Sequence, residues 1–422
     1  MANLKIIAIV VVVVLIVAGA GVFLLTRDNE QRSEEINLVT GLEAVGSGIY
    51  YNVNKVNPDN LLTVDKDGKV TYHPAGWNKL VFGSPGTASI QHIQLKTIVE
   101  VYLNDKTKIG ATDTPKEYRL VAYTDGQTAK DGEIYFVNFN GGGAALPTSD
   151  TNKAILDAGL TWQPQLVKVV ADPAYGLLVR TNELFPHQTC CVTIANQSYI
   201  SANPEIAERV VWALVKATDW VNAAEAKGAV NPNDPDYLRL LQIGASVAGP
   251  NFTTDELKLA FADVEYDWGD VDASGNPIYT NSNPLGKLKS DVALQTDDII
   301  KTGATRGNVT DLGFKNSTEY ANELVDDSIL KSVLSKGINN KPTYDSRANV
   351  RFILINGDIH QLPVHIANEI GFFDQVGIDI TKVGVSIGSA VITGLKANEA
   401  DFGVSGQPSI IIDNINNKLT KA

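Results

Sequence analysis

One stretch near the C-terminus, residues 351–383, most restricts the fold that this chain can adopt. It reads RFILINGDIHQLPVHIANEIGFFDQVGIDITKV. An apolar run ends in a Gly-Asp turn, a helical pattern follows, and a second apolar run completes the unit. Two strands joined through a helix are typical of parallel neighbours in one sheet. The stretch therefore predicts the opening of an α/β sheet, yet it stands close to the end of the chain, at residue 422.

The rest of the chain repeats this alternation of strands and helices. Residues 80–103 read as a strand, a Gly-rich turn and an amphipathic helix. Residues 203–226 predict a long amphipathic helix with Asn203 as N-cap and Pro204 at the first helical position. The DKDG sequence at residues 65–68 predicts a hairpin. Because 422 residues exceed what one compact core normally holds, we expect two α/β lobes.

The N-terminus has a different character. Residues 6–25 are uncharged and apolar, and as a helix they would extend about 30 Å, the thickness of a bilayer core. Lys5 precedes them, as expected on the cytoplasmic side. We expect a retained transmembrane anchor with the remainder outside the cell; the alternative is a signal peptide cleaved near Ala18-Gly-Ala20. Residues 28–35 predict a charged tether.

Charge and cysteine content exclude several classes of function. The net charge of −13 argues against nucleic acid and against an anionic membrane surface as partners. The two cysteines, Cys190 and Cys191, are adjacent and build no disulfide framework. Together with His187 they suggest a metal site, but neighbouring side chains on a strand point to opposite faces. The sequence therefore favours buried apolar residues here, with no metal, no cofactor and no catalytic residue.

Five segments resemble the solute-binding proteins of ABC importers, in particular the branch for nitrate, sulfonate, taurine and thiamine precursors. Residues 360–380 resemble that family's first helix and second strand, and residues 385–412 resemble its next helix, an acidic-Gly strand and a Gly-x-Pro helix start. The other matches lie at residues 80–99, 154–165 and 190–221. The resemblance implies a type II, two-lobed periplasmic-binding-protein-like α/β fold with a ligand cleft, to which the N-terminal transmembrane helix is added.

The order of these segments is rotated relative to the family. The pieces that come first in the family stand last here, and residue 422 would lead directly into residue 36. We interpret this as a circular permutation, which succeeds when the new termini fall in an exposed loop. The alternative is a tandem protein whose second copy is truncated.

The resemblance also predicts the division of the chain. We expect an anchor or uncleaved signal at residues 1–27, a tether at 28–35, and part of lobe one with a hairpin insertion at 36–76. Lobe two follows at 77–186. Residues 187–346 return to lobe one with a helical extension, and 347–422 supply the family's N-terminal portion of lobe one.

Two turns in this arrangement are suited to an anion. Residues 86–89 open a helix of lobe two, and Gly388-Ser389 open a helix of lobe one. Helix N-termini present N–H groups and a partial positive charge, and hydroxyls add donors. The alternative for each turn is plain helix capping. With the turns and strand ends that the resemblance places at the cleft, the predicted ligand-binding residues are His360, Gln361, Gly388, Ser389, Gly406, Gln407, Ser47, Gly86, Thr87, Ala88, Ser89, Asn138, Trp162 and Gln163.

The resemblance implies a membrane-anchored, extracytoplasmic receptor that captures a small anionic solute and delivers it to an ABC permease and its ATPase. A sulfonate-, taurine- or nitrate-like group fits turns that lack Arg and Lys. Two alternatives stay open. One is an enzyme of the same superfamily, similar to the thiamine-pyrimidine synthases and acting through His360 or His187. The other is a sensor that does not transport.

Overall fold

The computed structural model describes residues 36–43, 46–114, 116–141, 147, 149–186, 188–271 and 277–417. The predicted anchor and tether, and His187, lie outside these ranges. Within them, no helix is both long and apolar enough to cross a membrane. The predicted anchor at residues 1–27 is therefore not tested.

The described residues form thirteen strands. Numbered in chain order, they are β1 (Ile36–Glu43), β2 (Ser47–Asn52), β3 (Leu62–Val64), β4 (Val70–Tyr72), β5 (Val81–Ser84), β6 (Arg119–Ala122), β7 (Glu133–Asn138), β8 (Ala158–Trp162), β9 (Tyr175–Arg180), β10 (Cys191–Asn196), β11 (Ala348–Ile355), β12 (Ile378–Val385) and β13 (Phe402–Gly406). The predicted hairpin is confirmed: β3 and β4 pair antiparallel around the DKDG turn.

Sixteen α-helices lie between the strands of the described chain. They are α1 (Pro74–Trp77), α2 (Ile90–Thr97), α3 (Asp150–Ile155), α4 (Gln165–Val170), α5 (Thr181–Leu184), α6 (Gln197–Ala202), α7 (Pro204–Val230), α8 (Pro235–Ala248), α9 (Thr254–Phe261), α10 (Gly286–Lys301), α11 (Ser317–Leu324), α12 (Ser328–Lys336), α13 (Leu362–Glu369), α14 (Phe372–Gln375), α15 (Gly388–Lys396) and α16 (Gln407–Asn417). A π-helical turn, Ile98–Tyr102, continues α2, and short 3₁₀ helices occupy Pro58–Asn60, Val309–Leu312 and Ile359–Gln361.

A five-stranded sheet draws its strands from both ends of the described chain. Its order is β1-β10-β13-β11-β12. β11 lies inside it, parallel to β12 over eight residue pairs and parallel to β13. β10 runs antiparallel to both of its neighbours, so β1 runs in the same direction as β11, β12 and β13. The C-terminal stretch is thus a central part of a sheet that also needs residues 36–43.

A six-stranded sheet forms the second layer, in the order β6-β7-β5-β8-β2-β9. Here the structure differs from the predicted division of the chain, in which residues 36–76 belong to lobe one. β2 pairs antiparallel with β8 and β9, so the chain leaves the first sheet after β1 and enters the second at Ser47. The apolar run around Ile49 and Tyr50 does not tell which sheet it will join, because a buried apolar strand suits either sheet.

Each sheet has its own hydrophobic core. The larger core surrounds the five-stranded sheet, where α7 buries residues at helical spacing, among them Val210, Leu214 and Val221. The predicted helix and its start at Pro204 are confirmed, although the Asn203 side chain donates to the carbonyl of Tyr199 and does not cap α7. The core of the six-stranded sheet includes Trp77, fully buried and stacked on Phe82 with ring centroids 5.4 Å apart. Two cores leave a seam between the sheets.

Candidate functional site

A cleft that is open to solvent lies along this seam, and its empty space, with the solvent at its mouth included, is about 640 Å³. Its walls are the carboxyl ends of strands from both sheets: β11, β12 and β13 on one side, and β5, β7 and β8 on the other. Ligands of open α/β sheets bind at this edge, because the loops that follow parallel strands converge there. The lining residues are Pro85, Gly86, Thr87, Ala88, Ser89, Ile90, Gln91, Asn140, Trp162, Cys190, Cys191, Ile355, Asp358, His360, Ile387, Gly388, Ser389, Gly406 and Ser409.

The N-terminus of α2 opens onto the cleft from the six-stranded side. Ser89 is its N-cap, and the backbone N–H of His92 donates to Ser89 Oγ at 3.1 Å. Thr87, just before it, is exposed to the cleft. Below the turn, the His92 ring pairs with the Ser84 hydroxyl at 2.9 Å, and burial lowers the pKa of His92 to about 3. The imidazole beneath this helix terminus is therefore neutral at physiological pH.

The N-terminus of α15 opens onto the cleft from the five-stranded side. Its N-cap is Ile387, which offers no side-chain cap, so the first N–H groups of the helix are not capped by that residue. A Cβ at Gly388 would stand 2.6 Å from Ser405 Oγ and 2.8 Å from Ser409 Oγ, so a larger residue there would force these hydroxyls to move. Both helix termini thus present backbone donors and hydroxyls to one cavity, as an anion site requires.

The turn after β11 places a coupled pair, Asp358 and His360, in the cleft wall. Both side chains are almost completely buried, and Nδ1 of His360 donates to Asp358 Oδ1 at 2.7 Å. The backbone N–H of His360 donates to the same oxygen at 3.0 Å. Because the carboxylate holds Nδ1, the ring orientation is fixed. Asp358 is the only Asp, Glu, Lys or Arg among the described lining residues.

Cys190 and Cys191 also line the cleft, where the sequence predicted buried apolar residues. They are indeed buried, but the argument from strand alternation is wrong, because β10 begins at Cys191 and Cys190 lies before it. Their Sγ atoms are 3.9 Å apart. Cys191 also lies near the Asp358–His360 pair: its Sγ, a carboxylate oxygen of Asp358 and a ring nitrogen of His360 are all within 4.8 Å of one another.

Nine of the predicted ligand-binding residues line the cleft, and five do not. The five outside the lining hold the cleft walls together or lie beside them; they are Gln361, Gln407, Ser47, Asn138 and Gln163.

Three glutamines among these five make structural hydrogen bonds. Gln361 accepts from the backbone N–H of Ile355 and donates to Asp358 Oδ2. Gln407 donates to the carbonyl of Thr189 and so holds the segment before Cys190. Gln163 donates to Asp263 across the seam at 2.7 Å.

The other two residues are near the cleft but turned to protein neighbours. Ser47 Oγ accepts from the side chain of Gln91, which itself lines the cleft. Asn138 is exposed, and its Oδ1 accepts from the backbone N–H of Asn140, the residue that does line the cleft.

Sequence reasoning missed the cleft positions of both cysteines, Asp358 and Ser409. Asp358 stands two residues before His360 and was visible in the Gly-Asp turn after a predicted strand. Ser409 donates to the carbonyl of Ala88 at 3.0 Å, so it bridges the two walls. That contact joins residues 321 positions apart and leaves no local signal.

Comparison with known proteins gives no family assignment. No family model matches the chain, and no curated protein shows significant sequence similarity to it. Among solved structures, the ligand-binding component of an ABC-type import system from Staphylococcus aureus, with zinc bound, shares 13% identity with a TM-score of 0.40, covering 73% of this chain and 77% of that chain. The periplasmic nitrate-binding protein NrtA from Synechocystis PCC 6803 shares 11% identity with a TM-score of 0.41, covering 73% of this chain and 70% of that chain. At such low identity and overlap neither likeness bears on function, which we argue from the cleft.

Proposed function

We propose that this chain is a solute-binding receptor whose cleft captures a small oxyanion such as a sulfonate, taurine or nitrate. The observation that carries the proposal is the convergence of two helix N-termini, of α2 and α15, on one cavity between the carboxyl edges of two sheets. Thr87, Ser89 and Ser389 add hydroxyl donors. The described lining holds no Lys or Arg, the side chains that would favour phosphate. Neutral donors alone suit a weakly basic oxyanion.

The receptor would deliver its solute to an ABC permease driven by an ATPase, from the outer side of the membrane. This part of the proposal rests on the resemblance of the five sequence segments and on the apolar N-terminal segment. Genes for a permease and an ATPase beside the gene for this chain would support transport. N-terminal sequencing of the native protein that begins after Ala20 would contradict a retained anchor.

We further propose that the chain is a circular permutant of the receptor fold. Read from β11, the strands follow one another as β11, β12, β13 and then β1, all parallel, and α16 becomes the crossover from β13 to β1. The end of α16 and the start of β1 have common neighbours. Asn414 donates to the hydroxyl of Tyr320 in α11, and Val325, next after that helix, bridges Leu38.

Thermal unfolding of the full-length protein with taurine, small sulfonates, nitrate and bicarbonate tests solute binding. A ligand at one hundred times its dissociation constant stabilises the folded state by about 2.7 kcal/mol. We expect one oxyanion to raise the melting temperature and Thr87→Leu together with Ser389→Leu to abolish that rise. Ser335→Leu, at an exposed position of α12, is the matched control. If no solute raises the melting temperature, or if the rise survives in the double variant, the proposal fails.

An enzyme of the same superfamily is the second candidate, and one observation favours it. A thiol, an imidazole and a carboxylate in contact recur in cysteine nucleophiles, and here Cys191, His360 and Asp358 lie together in the cleft wall. Recovery of the bound solute by denaturation separates the two candidates. A receptor releases it unchanged, whereas an enzyme releases a product or retains a covalent adduct on Cys191.

A further inference from the structure

A second, smaller hollow lies behind one wall of the cleft. Its empty space, with open solvent included, is about 230 Å³. Ile90 and Cys190 line both the hollow and the cleft, and both residues are more than nine-tenths buried. These two residues therefore separate the two spaces. A solute that extends from the cleft into the hollow must pass between them.

The described lining of the hollow is polar but carries no charge. Apart from Ile90, Phe185 and Cys190 it consists of Ser47, Gln94, Thr181, Asn182 and Gln188. One hydrogen-bond network connects this lining to the cleft. Thr181 Oγ1 donates to the carbonyl of Ser47 at 3.2 Å, and Ser47 Oγ accepts from Gln91 of the cleft wall at 2.8 Å. The polar surface of the cleft thus continues into the hollow.

Gln94, in the middle of α2, presents a buried acceptor to the hollow. The residue is only 5% exposed. Its Nε2 donates to Gln188 Oε1 at 2.9 Å, which leaves Oε1 as the free end of the amide. That oxygen is buried and has no hydrogen-bond partner in the described part of the chain. An unsatisfied buried acceptor is unfavourable, so a donor placed in the hollow would be stabilised there.

We propose that the hollow binds the tail of the solute, and that the solute is an alkanesulfonate-like oxyanion whose chain ends in an uncharged hydrogen-bond donor, a hydroxyl or a primary amide. This inference rests on the proposed oxyanion site at the two helix termini. Gln94 follows the N-cap Ser89 by five residues, which is about 7 Å along the axis of α2. Because side chains lean toward the helix N-terminus, a chain of about three or four carbons covers the remaining distance.

The lining of the hollow distinguishes between tails. Methylene groups suit the apolar side chains of Ile90 and Phe185, and the donor at the end of the chain meets Gln94 Oε1. An ammonium group also donates, but its burial is costly without a carboxylate, and the described lining offers none. Nitrate and methanesulfonate are too short to reach Gln94. The hollow therefore favours a hydroxyl over an amine and over an unsubstituted chain.

Calorimetric titration of the full-length protein with three matched sulfonates tests this order. They are propane-1-sulfonate, 3-hydroxypropane-1-sulfonate and 3-aminopropane-1-sulfonate, with the corresponding four-carbon compounds as a second series. In one of the two series the hydroxyl compound should bind about three- to tenfold more tightly than the unsubstituted one, the effect of one added hydrogen bond. The amino compound should bind more weakly than the hydroxyl compound.

Two substitutions of Gln94 separate its role from that of the rest of the site. Gln94→Met removes the acceptor and should abolish the advantage of the hydroxyl compound over the unsubstituted one. Gln94→Glu places a carboxylate in the hollow and should make the amino compound the preferred ligand. Gln375→Glu, at an exposed position of α14, adds the same charge elsewhere and should keep the order of the parent. A cooperative melt shows whether each variant is folded.

Two results would overturn this inference and leave the receptor proposal in place. One is equal binding of the hydroxyl and unsubstituted compounds by the parent in both series. The other is a folded Gln94→Glu or Gln94→Met variant that keeps the parent's order. If neither nitrate nor any sulfonate binds, the receptor proposal fails and this inference fails with it. The titrations therefore distinguish the two failures.

Discussion

Arg180 and Asp263 join the two sheet layers of the fold, outside the residues that line the cleft. Nε of Arg180, at the end of β9, donates to Asp263 Oδ1 at 2.8 Å. Asp263 follows α9 and is flanked by Phe261 and Val264, which belong to the core of the five-stranded sheet. Because Gln163 donates to the second oxygen of Asp263, two residues of the six-stranded side converge on one carboxylate of the other side.

Removal of this bridge should make the cleft open more often. The Arg180 side chain is 42% exposed, so we expect Arg180→Met to cost only about 0.5–1 kcal/mol, which is a two- to fivefold change. Hydrogen–deuterium exchange should be faster by that factor in residues 86–91 and 387–391. Arg347→Met is the matched control, because Arg347 pairs with Asp374 and Asp379 on one side of the cleft. Equal exchange at the cleft in both variants would exclude a role for the bridge in closure.

Ser89 should contribute both to stability and to solute binding. Ser89→Ala removes the N-cap of α2 and should lower the free energy of unfolding by about 1 kcal/mol in the absence of solute. Ser149→Ala removes the N-cap of α3, away from the cleft, and should cost a similar amount. Urea denaturation measures both losses. Only Ser89→Ala should also reduce the rise in melting temperature caused by the solute, and an equal reduction in Ser149→Ala would contradict this.

Glu225 should make the protein less stable at alkaline pH. Burial raises the pKa of this carboxyl from 4.5 to about 8, and its Oε1 has no hydrogen-bond partner in the described structure. A folded-state pKa above the unfolded value gives stability that is complete below pH 4.5 and is lost as the pH rises through 8. Glu225→Gln should therefore raise the free energy of unfolding at pH 9 by roughly 1–3 kcal/mol.

Urea denaturation at pH 5 and pH 9 checks this expectation. The gain from Glu225→Gln should be larger at pH 9 than at pH 5, whereas Glu399→Gln, on an exposed carboxylate, should not change the dependence on pH. A gain of the same size at both pH values would show that shape and not charge is responsible.

A rejoined chain tests the permutation. The new protein would start at Lys341, run to Asn417 and continue through a short flexible linker into Ile36, without the N-terminal segment. A start at Lys341 is better than one at Ala348, because Arg209 donates to the carbonyl of Ser346 and stacks on Tyr344. We expect a soluble protein that unfolds cooperatively and keeps the solute preference of the parent.

The matching deletion lacks residues 348–417. It removes β11, β12 and β13 and leaves β10 with β1 alone in the sheet, so we expect it not to fold. If the deletion folds and binds solute while the rejoined chain does not, residues 348–417 are a fragment of a second copy and the permutation is wrong.

The local sequence pattern was sufficient to predict strands and helices and to place several residues at the site. The run from Phe352 to Ile355 is predicted as a strand because it is short, apolar and followed by a Gly-Asp turn. Helix α7 is predicted as a helix because its apolar residues recur at helical spacing. Gly388 and His360 were predicted at the cleft because turns after parallel strands meet at one edge.

Which surfaces these elements share is a property of the folded chain. Residue patterns were enough to predict an α/β chain with strand–turn–helix units and small, neutral turns. They did not predict that β2 joins the second sheet, that Ser409 reaches Ala88, or that Cys190 and Cys191 line the same cavity as His360. Periodicity and capping act over a few residues, whereas each of these relationships joins distant residues or depends on where a strand begins.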